Sequence, residues 1–155
     1  MTNPLMQPSQ LENELPDFAN LRDEHYLPAF EHAVAEHNKE IAAILAQPVV
    51  TFENTLEAME RSGGLLSTML MVFYNKSSSD TNETIQELEA EIGPRLAAHM
   101  DSIRLNPALY SRITELAAKR DELGLDVASD RLLSKYLEDF NFAGAGLSEA
   151  SRKRV

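Results

Sequence analysis

The sequence predicts an all-α protein: a bundle of five long, mostly antiparallel helices plus a truncated sixth, preceded by an extended N-terminal arm. Composition is the first reason, because the 155 residues include 18 Ala, 21 Leu and 17 Glu but only 6 Val and 6 Ile, a balance that favours helices over strands. The second reason is that apolar residues recur every three to four positions, as on one face of a helix. The third is that capping residues, prolines and glycines stand at the ends of these segments.

The N-terminal arm is expected over residues 1–22, which hold three of the seven prolines. Its apolar residues Leu15, Phe18 and Leu21 are expected to lie against the helical body. The length of the chain is typical of one domain, so the helical body is expected to form a single helical domain over residues 23–155.

The first long helix begins at a turn capped by Asp23, has Pro28 near its first full turn and ends before Pro48. Proline is tolerated in a first turn because the N–H that it lacks would have no partner there. The side chains expected to be buried are Phe30, Val34, His37, Ile41, Ile44 and Leu45.

The second helix opens at Thr51, whose hydroxyl is expected to accept a hydrogen bond from the N–H of Asn54 while the Asn54 amide reaches back. This reciprocal pattern is that of a capping box. Gly63 and Gly64 interrupt the helix and indicate a close helix crossing or a kink, because glycine is unfavourable inside a helix. The expected buried stripe is Phe52, Leu56, Met59, Leu66, Leu70 and Phe73.

Three further helices and part of a fourth are expected. The third runs from about Thr81 to Ile103 and is expected to bend at Pro94. The next begins at Asn106, the one after it runs from Asp126 to Gly144, and the last begins at Ser148 and reaches the end of the chain with no stop signal. The expected inward residues are Ile85, Leu88, Ile92, Leu96, Met100 and Ile103, then Leu109, Ile113 and Leu116, then Val127, Leu133, Tyr136 and Phe140.

The charge of the chain narrows the range of partners. With 14 Lys and Arg against 25 Asp and Glu, the net charge is −11, and no segment concentrates basic residues. Neither nucleic acid nor an anionic membrane surface is therefore expected to bind. There is no cysteine, which fits a reducing cytoplasm and excludes disulfides and thiolate ligands. No signal peptide and no apolar run long enough to span a membrane are recognised.

The four histidines lack the spacing of known metal motifs. None is followed by glutamate, so the His-Glu-x-x-His zinc motif is absent, and none is preceded by glutamate three positions earlier, as a di-iron bundle requires. Only His25, His32 and Glu36 return to one helical face and could converge as ligands, although Pro28 stands between them. The alternative is that His25 and His32 are surface residues. No catalytic, cofactor-binding or metal-binding residue is predicted in this chain.

Two other patterns have both a functional and a structural interpretation. Gly144–Gly146 resembles the start of a dinucleotide-binding loop, but it follows a helix, and Glu149 takes the place of the third glycine; a helix cap is the preferred interpretation. Met69 and Met71, with Phe73, could form an adaptable binding groove or belong to the core.

Several stretches resemble the bacterial dipeptidyl carboxypeptidases (peptidyl-dipeptidases), which are relatives of oligopeptidase A and thimet oligopeptidase. They are Glu24–Phe30 (EHYLPAF), Thr51–Gly63 (TFENTLEAMERSG), Gly124–Asp126 (GLD) and Phe142–Leu147 (FAGAGL). The family patterns that they resemble are EHY-x-PAF, TFENT followed by A-x-E-x-SG, LGLD and F-x-x-AGA-x-L. The resemblance extends in order over most of residues 10–155.

The resemblance implies that the chain is the N-terminal helical region of a much longer zinc metallopeptidase that removes C-terminal dipeptides from oligopeptides. The zinc and its His-Glu-x-x-His helix are expected to lie outside this chain, so the chain alone is expected to be inactive. The helices of this chain are expected to form part of the wall of a substrate channel. The isolated chain is expected to self-associate through exposed apolar surface, and the parent to be monomeric. The alternative is a stand-alone acidic helical module that binds a peptide or a partner helix.

Overall fold

The computed structural model of the protein describes residues 3–147, which contain helices and no β-strand. The all-α prediction is confirmed, with five long helices in this range. The α-helices are α1 (Tyr26–Leu45), α2 (Ala58–Arg61), α3 (Gly64–Ser79), α4 (Glu83–Arg104), α5 (Pro107–Ala118) and α6 (Val127–Ala143). Short 3-10 turns occupy Glu12–Glu14, Asp23–His25 and Arg120–Glu122, and a π-helical segment, Glu53–Glu57, runs into α2. The helix predicted from Ser148 lies outside the described residues.

The chain divides into two compact units, each with its own hydrophobic core. The first unit joins the residues up to Glu40 with Ser62–Ala97, and the second joins Ile41–Arg61 with the described residues from Ala98 onward. None of the described helices combines the length and the apolar character needed to cross a membrane.

The core of the first unit is built by the first part of α1, by α3 and by the first part of α4. The Tyr26 and Phe73 rings meet edge to face with their centroids 5.3 Å apart, and the Arg95 guanidinium lies 5.5 Å from the centre of the Phe30 ring. The buried residues of this core are Leu5, Tyr26, Ala29, Phe30, Ala33, Leu66, Met69, Val72, Phe73, Ile85 and Ile92.

The arm packs against this core through Leu5, which is not among the expected residues, and through Leu21, which is. Leu5 is buried, and Leu21 packs on the same cluster as predicted, but Leu15 and Phe18 are 58% and 54% exposed, so that part of the prediction is wrong. The reason lies in a local turn. Asn13 has a left-handed φ of 57°, and the Ser9 hydroxyl donates to the Leu15 carbonyl 2.5 Å away, so this part of the arm is organised by its own hydrogen bonds.

A break at Gly63 divides the predicted second helix into α2 and α3. Gly63 has a φ of +72°, and a Cβ at this position would lie 2.9 Å from Cε1 of His37. Its N–H donates to Oε2 of Glu40 at 2.6 Å, and Nε2 of His37 lies 3.2 Å from the Ser62 hydroxyl. Gly63 therefore interrupts the helix with a left-handed residue that lies close to α1, as the predicted close approach requires.

The second unit packs α5 and α6 against each other and against the π-helical segment. The caps predicted for α5 and α6 are confirmed: Asn106 Oδ1 accepts from the N–H of Leu109, Asp126 Oδ1 accepts from the N–H of Ser129 at 2.7 Å, and Gly144 ends α6 with a φ of 89°. Asp23 does not cap its turn, whose N-cap residue is Arg22. The buried residues of this core are Ile41, Ile44, Phe52, Leu56, Met59, Ile103, Leu109, Ile113, Leu116, Leu133, Phe140 and Ala145.

Two further expectations concern Val127 in α6 and Pro94 in α4. The prediction that Val127 points inward is wrong, because Val127 is 88% exposed. It stands six residues before the buried Leu133, which places it about 240° around the helix at 100° per residue. Helix α4 continues through Pro94 without interruption from Glu83 to Arg104.

Substitution of the two adjacent glycines should have opposite effects. Gly63→Ala should lower the free energy of unfolding by about 1–3 kcal/mol, because it combines a left-handed backbone with a contact on the His37 ring. Gly64→Ala is the matched control: nothing lies within 4 Å of its Cβ position, and alanine favours a helix, so stability should stay constant or rise by up to about 1 kcal/mol. Urea denaturation of both variants measures this. Equal effects would contradict the described break.

Candidate functional site

The structure does not bring the three candidate metal ligands together. Nδ1 of His25, in a 3-10 turn before α1, lies 3.2 Å from the N–H of Arg22, from which it accepts a hydrogen bond. Glu36 accepts from Lys39 at 2.6 Å, and this hydrogen bond holds the pKa of the Glu36 carboxyl below its usual range. Within residues 3–147, no group of three or more His, Asp or Glu side chains could hold a metal ion. The described residues therefore do not fit a zinc site.

The Met69 and Met71 side chains do not form a shared groove either. Met69 is 1% exposed and belongs to the core of the first unit, whereas Met71 is 64% exposed. Two positions that differ by two residues point to different sides of a helix, so the two methionines have separate surroundings.

A partly buried polar network surrounds Arg112 of α5, in the second unit. Arg112 is buried, with 8% of its surface exposed. Its guanidinium donates through Nε to the Thr55 hydroxyl at 3.2 Å, through Nη1 to the Gln47 carbonyl at 2.8 Å and through Nη2 to Asn54 Oδ1 at 3.0 Å. One side chain thus holds the loop after α1 and the π-helical segment on α5.

Asn54 is the second centre of this network. Its Oδ1 also accepts from the Thr51 N–H at 3.0 Å and from the Thr55 hydroxyl at 3.1 Å, while its Nδ2 donates to the Val49 carbonyl at 2.8 Å. The Asn54 N–H donates to the Thr51 hydroxyl at 3.1 Å, so the predicted reciprocal cap is confirmed. We call the four residues Thr51, Asn54, Thr55 and Arg112 the Arg112 network.

The chemistry of the Arg112 network is that of a structural clamp. The described ion pairs do not include Arg112, and the acceptors that bind its guanidinium are neutral oxygens. Arginine stays protonated in proteins and its planar group donates in fixed directions. Hydrogen bonds from a charged donor are stronger than neutral ones, so the network fixes backbone geometry.

Another polar contact joins α2 and α6 in the same unit. The Tyr136 hydroxyl donates to Glu60 Oε1 at 2.6 Å. Burial, together with this carboxylate, raises the pKa of the Tyr136 hydroxyl far above its usual value, so the phenol remains protonated. His99 is also buried, and burial lowers the pKa of its imidazole.

Sequence reasoning identified Thr51 and Asn54 but missed Arg112. The available signal was its position. Arg112 stands three residues after Leu109 and next to Ile113, on the face of α5 that the apolar pattern assigns to the core. Charged residues are buried mainly when they have hydrogen-bond partners, so an arginine inside an apolar stripe indicates a polar network.

Comparison with known proteins gives consistent matches. The chain is 39% identical over 155 residues to dipeptidyl carboxypeptidase of Salmonella typhimurium and 34% identical over 154 residues to that of Escherichia coli. It is 24% identical over 154 residues to oligopeptidase A of Haemophilus influenzae. The chain is a homologue of the dipeptidyl carboxypeptidases and of oligopeptidase A. No family model matches it.

The homology covers the whole chain but a small part of each relative. Each of these alignments includes 99% of this chain, whereas the chain spans 23% of the length of the two dipeptidyl carboxypeptidases and 22% of the oligopeptidase. The resemblance found in the sequence is confirmed. In this chain the TFENT stretch supplies three residues of the Arg112 network, so the polar residues of the motif have a structural role in that network.

Removal of the Arg112 side chain should strongly destabilise the second unit. Arg112→Ala leaves the Thr55 and Asn54 oxygens without this donor, and buried groups that lose a partner cost about 1–3 kcal/mol each. We expect a loss of about 2–4 kcal/mol in the free energy of unfolding. The matched control is Arg120→Ala, which removes an exposed ion pair with Asp130 and should cost no more than about 1 kcal/mol. Similar losses in the two variants would contradict the clamp.

Replacement of Thr51 tests the cap separately. Thr51→Ala removes the acceptor of the Asn54 N–H and should cost about 0.5–2 kcal/mol, as the loss of an N-cap does. Thr51→Ser is the control, because it keeps the hydroxyl and should retain most of the stability. The check is the denaturation midpoint; an unchanged midpoint in Thr51→Ala would show that the cap contributes little.

Proposed function

We propose that this chain is the N-terminal helical segment of a longer zinc metallopeptidase that hydrolyses oligopeptides and releases C-terminal dipeptides. The observation that carries the proposal is the 39% identity to a dipeptidyl carboxypeptidase along 99% of the chain. The identity to the dipeptidyl carboxypeptidases exceeds the identity to oligopeptidase A, which favours dipeptide release as the activity of the whole protein.

In this proposal the helices of this chain shape the substrate channel, and residues in the rest of the protein bind zinc and catalyse hydrolysis. The described residues do not fit a zinc site, so no catalytic step is assigned to them, and zinc is expected to be bound by residues outside this chain. The helices would form part of the wall of a channel that admits oligopeptides. The Arg112 network supports this role, because a channel wall depends on fixed positions of its helices.

The proposal extends to location and partners. A cysteine-free chain with a net charge of −11 suits a cytoplasmic peptidase whose partners are oligopeptides, with neither nucleic acid nor an anionic membrane surface as a ligand. The parent is expected to be monomeric. The competing function is that of a stand-alone acidic module that binds peptides or a helix without cleaving them.

Metal content and peptide cleavage test the proposal. The 155-residue chain should release no dipeptide from oligopeptides and should bind zinc no better than its His25→Asn/His32→Asn variant. The uncut parent should contain about one zinc per chain and should release C-terminal dipeptides until a chelator removes the metal. Stoichiometric zinc in the short chain that is lost in the double variant would overturn the proposal.

The gene itself provides a second test. A reading frame that continues past Val155 into a segment with His-Glu-x-x-His would support the peptidase. A natural product of 155 residues that binds peptides without cleaving them would establish the stand-alone module.

A further inference from the structure

The N-terminal arm presents three large apolar side chains to solvent over a short stretch. Leu11, Leu15 and Phe18 are 48%, 58% and 54% exposed. Single apolar residues scattered over a surface are ordinary, whereas a group of them indicates a contact surface. We call these three residues the arm patch.

Hydrogen bonds within the arm hold the arm patch in a defined shape. The Ser9 hydroxyl accepts from the Leu11 N–H at 3.2 Å and donates to the Leu15 carbonyl at 2.5 Å, so one side chain links the backbones of both leucines. Further along the arm, the Asn20 side-chain amide donates to Asp17 Oδ2 at 2.8 Å. A surface that is already ordered loses less conformational entropy when a partner covers it.

The backbone at the centre of this turn is strained. Asn13 and Glu14 have φ values of 57° and 56°, and they are the non-glycine residues with positive φ in the part of the chain that the structure describes. Such conformations are unfavourable and persist where the surroundings hold them. Within residues 3–147 the arm patch stays exposed, so little apolar burial offsets the strain. A contact with another part of the protein would supply that burial.

The charge around the arm patch indicates what kind of surface covers it. Residues 1–21 contain Glu12, Glu14 and Asp17 but no Lys, Arg or His. Opposite charges across an interface favour association, whereas like charges oppose it. The covering surface should therefore have apolar side chains at its centre and basic side chains at its rim. The arm of a second copy, which is equally acidic, lacks this complementary charge.

The homology indicates where such a surface is found. The alignment to the Salmonella typhimurium relative includes 99% of this chain, and therefore the arm, but only 23% of the relative. Most residues of a protein of that length lie outside this chain. We propose that the arm patch is an intramolecular docking surface, covered by an apolar surface with a basic rim on the remainder of the uncut parent. This inference rests on the longer protein of the proposed function.

Hydrogen exchange followed by mass spectrometry compares the arm in the 155-residue chain with the arm in the uncut parent. At equal dilution, the backbone amides of residues 9–20 should exchange at least about tenfold more slowly in the parent, because a covered segment opens less often. Equal exchange in the two proteins would overturn the proposal. Protection in the parent that appears only as its concentration rises would also overturn it and would assign the arm patch to a second copy.

A charge substitution in the arm patch provides a matched comparison. In the uncut parent, Leu15→Lys should speed the exchange of residues 9–20 at least about tenfold, because it places an ammonium group against apolar and basic side chains. In the 155-residue chain, where Leu15 is 58% exposed, the same substitution should leave the exchange and the urea midpoint unchanged.

The control for Leu15→Lys is Gln7→Lys, which adds the same charge at an exposed arm residue outside the arm patch. In the uncut parent Gln7→Lys should change the exchange of residues 9–20 by less than about twofold, because an isolated surface charge has a small effect. Equal effects of the two substitutions in the parent would overturn the proposal.

Dipeptide release by the uncut parent, measured in parallel, separates the docking surface from the proposed function. A protected arm in a parent that releases no dipeptide would support the docking surface and contradict the proposed activity. Dipeptide release by a parent with an unprotected arm would support the activity and overturn the docking surface. A reading frame that ends at Val155 would overturn both.

Discussion

The buried guanidinium of Arg112 is the interaction on which the second unit depends. Its three acceptors come from the loop after α1 and from the π-helical segment. A buried cation is costly unless its donors have partners, and here the partners are also the groups that need a donor. The constraint therefore acts both ways: the arginine requires this loop geometry, and the loop geometry requires the arginine.

Much of the fold could be predicted from the sequence, because local rules and the tertiary structure agree over most of the chain. The capping pairs at Thr51, Asn106 and Asp126, and the left-handed glycine at the end of α6, are local features that short-range hydrogen bonds determine. The errors at Leu15, Phe18 and Val127 have a different origin. Whether such a residue is buried depends on what packs against it, and periodicity does not determine this at helix ends or in an irregular arm.

The network around Arg112 shows where sequence reasoning about the site stops. Thr51 and Asn54 are close in sequence, so their pairing follows from a motif, whereas Arg112 reaches Thr55 and Asn54 across 57 and 58 residues. The apolar pattern of α5 can indicate that Arg112 is buried, but composition and spacing do not show which distant residues it contacts. The TFENT stretch, which resembles the peptidases, has structural contacts in this chain: its polar side chains bind the backbone and the guanidinium, and Phe52 packs in the core.

A double-mutant cycle between Arg112 and Asn54 tests most directly whether this network organises the second unit. The free energies of unfolding of the wild type, Arg112→Ala, Asn54→Ala and the double variant give the coupling between the two side chains, free of the other contacts that each one makes. A direct, buried hydrogen bond from a charged donor predicts a coupling of about 1–3 kcal/mol. A coupling below about 0.3 kcal/mol, so that the two losses simply add, would contradict the central role of the Arg112 network.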